Sequence, residues 1–102
     1  MKLLDKTGKE IDNINFDEVF VGDVKEVEYF LYNDTGTEVS NIDIKLYSEF
    51  SELLNEIKVI EYPKFLTAED QGSVRIKWTP SLKIKKALNV KIRVSGIETW
   101  RP

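Results

Sequence analysis

Apolar residues recur at every second position along four stretches of this chain: Val27, Tyr29 and Leu31; Ile42, Ile44 and Leu46; Val74, Ile76 and Trp78; and Leu88, Val90, Ile92 and Val94. Successive side chains of an extended strand point to opposite faces, so each set predicts the buried side of one strand. The positions between them are mostly charged, including Asp43 and Lys45, Arg75 and Lys77, and Lys91 and Arg93. Antiparallel strands with one face on a core and the other in water carry this pattern. Turn-forming clusters separate the strands: Asp5-Lys6-Thr7-Gly8-Lys9, Val21-Gly22-Asp23, Asn33-Asp34-Thr35-Gly36, Glu69-Asp70-Gln71-Gly72 and Thr79-Pro80-Ser81.

One segment departs from the period of two. Phe50, Leu53, Leu54 and Ile57 are spaced as one face of a helix, with Ser48 or Ser51 available as the cap, so a short helical turn is expected near residues 51–55. Strand character returns from Ile57 to Tyr62, and Pro63 ends it. The whole predicts an all-β, antiparallel sandwich of seven to eight strands in a single domain spanning residues 1–102, with Trp78 and Phe16 in its core.

The order of these features is similar to a known pattern. Ile14-Asn15-Phe16-Asp17-Glu18-Val19-Phe20-Val21-Gly22 resembles the opening of the immunoglobulin-like domains related to major sperm protein and the ciliary and centrosomal ASH domains. Val27 to Gly36, with Asn33-Asp34-Thr35-Gly36 at its end, is similar to their second strand; Arg75-Ile76-Lys77-Trp78-Thr79-Pro80 and Val90-Lys91-Ile92-Arg93-Val94-Ser95-Gly96 resemble two later strands. The resemblance covers about residues 14 to 97 and rests on short, permissive motifs. It implies an immunoglobulin-like sandwich that scaffolds, self-associates or docks on partners, with no catalytic residue or cofactor to transfer. The helical spacing of Ser48–Leu54 departs from the family pattern. Small free-standing domains of this kind decorate the capsids and tails of tailed bacteriophages, and by that analogy of fold and length the expected role is a virion decoration or auxiliary protein. The alternative is a monomeric cytoplasmic adaptor or regulatory protein-binding domain.

Composition narrows the chemistry. The 102 residues include no Cys and no His, which excludes disulfides, thiolate nucleophiles, Cys/His zinc sites and imidazole acid-base catalysis from this chain. The adjacent acids Asp17/Glu18 and Glu69/Asp70 fall in turns, pointing apart into water, and the oxygens of Asp12, Asn13, Asn15 and Asp17 lack the spacing of a calcium loop. No enzyme activity, metal or cofactor is therefore expected. Met1-Lys2-Leu3-Leu4 runs directly into charged residues, so neither a secretory leader nor a membrane span is expected, and Asn33-Asp34-Thr35 reads as a turn rather than a glycosylation site.

Charge is unevenly distributed. Residues 1–50 hold 5 Lys against 12 Asp and Glu, residues 51–102 hold 10 Lys and Arg against 6 acids, and from residue 71 onward Glu98 alone opposes 8 bases. If the strands near 74–79 and 88–95 pair, Arg75, Lys77, Lys91 and Arg93 form one basic outer face. Three readings are open for that face: solvation and edge protection, docking on an acidic protein surface or a second copy, and nucleic-acid binding. The last is weakened by the lack of interleaved outward aromatics other than Tyr47 or Tyr62. With Val27, Tyr29 and Leu31 inward, Phe30 and Tyr32 form an outward aromatic pair; a shift by one residue buries them instead. Trp100, in the tail Glu98-Thr99-Trp100-Arg101-Pro102, is either a partner anchor or a side chain folded back on the domain. The expected partner is a protein, either a capsid or tail shell protein or another copy of the chain.

Overall fold

The computed structural model describes residues 1–15, 22–48, 54–80 and 89–99, and within these the chain is a two-layer antiparallel β-sandwich. The strands are β1 (Lys2–Leu4), β2 (Asn13–Asn15), β3 (Lys25–Tyr32), β4 (Glu38–Tyr47), β5 (Ile57–Glu61), β6 (Gln71–Trp78) and β7 (Asn89–Thr99). One sheet has the order β1-β3-β6-β5 and the other the order β2-β7-β4. The expected helical turn near residues 51–55 falls largely outside the described residues, as do Phe16 and Trp100. No helix among the described residues is long and apolar enough to cross a membrane.

The alternation of the sequence becomes the core. In the four-stranded sheet Val74, Ile76 and Trp78 are paired with Tyr29, Val27 and Lys25, and Leu3 with Leu31, so one face of four strands turns inward together. Val90 and Ile92 of β7 and Ile42 and Ile44 of β4 close on that face from the other sheet. Trp78, Leu31, Ile76 and Val74 are fully or almost fully buried. An indole buried this way contributes enough that truncation to alanine costs about 3–5 kcal/mol.

Two bulges adjust the phase. On β4 the register shifts between Ser40 and Asp43, and Asn41 takes a left-handed φ of 51°, a conformation that Asn tolerates better than most residues. The extra residue lets Val39 and Ile42, three apart, both face the core. On β5 the shift falls between Val59 and Glu61, which leaves Ile60 unpaired and exposed.

Turns secure the layers to each other. The Asp5 carboxylate accepts from the Thr7 amide, the Thr7 hydroxyl and the Lys9 amide, closing the β1–β2 loop around Gly8 at φ 88°. Asn33 is fully buried: its side-chain amide donates to the carbonyls of Thr37, Leu66 and Thr67, while its side-chain oxygen accepts from the Thr35 amide and hydroxyl. Its backbone amide and carbonyl bond to Asp70 and Glu69. The sequon-like triplet is thus a surface turn anchored by a buried Asn33, whose amide nitrogen is committed to three carbonyls.

Candidate functional site

The topology separates the four bases expected on one face. β6 lies between β3 and β5, which occupy both of its edges, so β7 cannot pair with it; β7 lies between β2 and β4 in the other sheet. Arg75 and Lys77 therefore face outward from the four-stranded sheet, whereas Lys91 and Arg93 face outward from the opposite side of the sandwich. The shared basic face is corrected to two faces of different character.

On the four-stranded sheet Arg75 is neutralised locally, whereas Lys58 and Lys77 form no ion pair among the described residues. Arg75 pairs with Glu26 on β3 and donates to Glu61 on β5 at 3.3 Å. The two carboxylates, Glu26 before Glu61, hold the guanidinium even more firmly protonated than usual. Lys77 lies directly across from Glu26 and from Lys58. Phe30 and Tyr32 do point outward, in the phase expected with Tyr29 and Leu31 inward, but both are half-buried. Phe30 sits beside Leu4 and Ser73, and the Tyr32 hydroxyl donates to Glu69, which raises the phenol above its usual 10.0. On this face Arg75 and Tyr32 are thus engaged by neighbouring carboxylates.

The outer face of the three-stranded sheet is different. Lys91 lies across from Tyr47 on β4 and Asn13 on β2, and Arg93 lies across from Lys45. The Arg93 guanidinium sits over the Tyr47 ring, 5.4 Å from its centroid, in a cation–π arrangement. Among the described residues, no acid forms an ion pair with Lys45, Lys91 or Arg93. Three cations at adjacent cross-strand positions repel one another, and an anionic partner would relieve that repulsion. Tyr62, the other aromatic considered for an outer face, packs half-buried against the core.

Three residues of this face were not singled out by sequence reasoning. Lys45 belongs to the acidic first half of the chain and joins the basic cluster only through the β4–β7 register. Ile97 continues the outward row of Lys91, Arg93 and Ser95, and is 58% exposed. Phe65 reaches the same side because Leu66, the next residue, bridges Val39 with both turned inward, and Phe65 is 48% exposed. Separately, a shallow recess beside β5 and β6, lined by Asn55, Glu56, Lys58, Ile60, Lys77 and Thr79, contains a single carboxylate. No cluster of three or more metal-ligating Asp, Glu, His or Cys side chains occurs among the described residues.

Comparison with protein-family models, with curated proteins and with solved structures finds no match to this chain.

Proposed function

We propose that this chain is a structural or interaction module that works without catalysis, docking on a protein through the outer face of β2, β7 and β4. The observation that carries this reading is the cluster of Lys45, Lys91 and Arg93, without acidic partners among the described residues and with Arg93 stacked over the exposed Tyr47. Arginine and tyrosine are the side chains that interfaces favour, and unpaired cations steer an acidic partner into register. The opposite face, with Arg75 held by Glu26 and Glu61, has less to gain from a partner.

The concrete role proposed is that of a decoration or auxiliary protein on a phage capsid or tail. The strand order β1-β3-β6-β5 supports the immunoglobulin-like reading on which that analogy rests. Taking β2 as a continuation of the first strand, it is the first-second-fifth-fourth order of one sheet of that fold. The test is co-sedimentation with shells assembled from capsid or tail proteins encoded beside this chain. The expected result is many copies bound per shell, with binding lost in the K91E/R93E variant while circular dichroism is unchanged. Failure to bind any such shell would overturn the virion role, and a one-to-one complex with a non-shell protein would assign the adaptor role instead.

A further inference from the structure

The outer face of the three-stranded sheet has two ends of different chemistry. At one end lie Lys45, Lys91 and Arg93 around Tyr47; at the other, Ile97 and Phe65 flank Ser40, which pairs with Ile97. Arg93 and Lys91 are four and six residues from Ile97 along β7, which at strand rise places the charges about 13–20 Å from the apolar pair. Ser95 and Asp43 lie between the two ends.

We propose that this face binds a segment of another protein that carries two or three carboxylates at one end and an apolar anchor at the other. The carboxylates would meet the three cations, and the anchor would settle beside Ile97 and Phe65 over the small Ser40 side chain. This rests on the docking role proposed above and specifies the partner's chemistry.

Charge complementarity selects this occupant over two others. A nucleic-acid strand following the face would leave the basic end to meet the Asp43 carboxylate and then an apolar pair, neither of which suits a polyanion. A second copy packed symmetrically through this face either brings three cations toward three cations or sets them on the other copy's Ile97 and Phe65, and in both arrangements the outer row between Lys45 and Ser40 offers only Asp43 as counter-charge. A foreign acidic and apolar segment meets neither obstacle, and exposed Ile97 and Phe65 gain by leaving water.

The experiment is amide shift mapping by NMR on the full chain with synthetic probe peptides about ten residues long, enough to span the face when extended. One peptide joins a triglutamate end to a Leu-Phe end, two controls carry either end alone, and the fourth probe is a thymidine oligonucleotide of matching charge. The joined peptide is expected to bind at least about tenfold more tightly than either half, because the second contact forms at high effective concentration. It is expected to shift amides at both Lys91–Arg93 and Ile97. Ile97→Ser should remove the advantage while leaving the triglutamate half bound, and Lys91→Glu should weaken every glutamate-bearing peptide. Binding of the glutamate half with no gain from joining would overturn the two-ended partner but leave the docking face in place. An oligonucleotide bound as tightly as the joined peptide would overturn the choice of a protein. Shifts confined to the β1-β3-β6-β5 face, or no shifts with any probe, would overturn both the partner and the docking face.

Discussion

At the scale of single residues, Asn33 is the clearest case of one side chain holding several segments. Its amide donates to three carbonyls from two stretches of chain, and it lies at 0% exposure, where water cannot replace the lost bonds. Asn33→Ala is expected to lower stability by about 2–4 kcal/mol in urea unfolding, with the denaturant slope unchanged. The sequence shows Asn33 as a turn residue before Gly36, and that reading holds; its burial does not follow from a local pattern, because two of its three acceptors lie more than 30 residues away. Acid sensitivity also has named sources. The Thr7 hydroxyl first, then the Lys9 amide, pull Asp5 below the ordinary 3.8, and the N-terminal ammonium, 3.0 Å away, does the same for Asp34. A depressed carboxylate contributes stability that is present above its unfolded pKa and is lost as pH falls through its folded one. The urea midpoint should therefore fall as pH drops below about 3.8, and the Asp5→Asn, Asp34→Asn double variant should lose less over that window.

At the scale of strands, the period of two located β3, β6 and the body of β7 because their alternation is uninterrupted. It could not place Val39. Counting back by twos from Ile42 and Ile44 turns Val39 outward, and only the bulge at Asn41 returns it to the core. A bulge is set by tertiary contacts, here the bonds of Val39 and Ile42 to Leu66 and Lys64, so nothing local beyond an Asn announces it. The same limit explains the basic face: side-chain phase is a local property, whereas strand order is not. Gly96 leaves no room for a side chain beside the neighbouring strand β4. An added methyl would come 2.5 Å from Val39 Cγ1 and 3.1 Å from Met1 Cε. Gly96→Ala should therefore cost about 1–3 kcal/mol by crowding Val39 on the neighbouring strand, measured as a lowered thermal midpoint, while the nearby exposed Ser95→Ala should shift it little.

At the scale of the whole molecule, the sandwich presents one face that interleaves acids with bases, with Arg75 held by Glu26 and Glu61, and one whose cations Lys45, Lys91 and Arg93 have no acidic partner among the described residues. Reversal of Lys91 and Arg93 should leave stability within about 0.5 kcal/mol, since both are exposed, and partner binding by the native chain should weaken with added salt. The sequence supplied Lys91 and Arg93 as candidates, and both lie on an outer sheet surface; Lys45, Phe65 and Ile97 join them only once strand order and register are known. The central claim is that this face, and not the one bearing Phe30 and Tyr32, meets the partner. Its most direct test places a photoreactive residue at Tyr47, Ile97, Phe30 or Tyr32 in turn, irradiates cells producing the chain, and identifies the adducts by mass spectrometry. A discrete protein adduct from Tyr47 and Ile97, absent from Phe30 and Tyr32, is the predicted result; adducts from Phe30 and Tyr32 alone would contradict it.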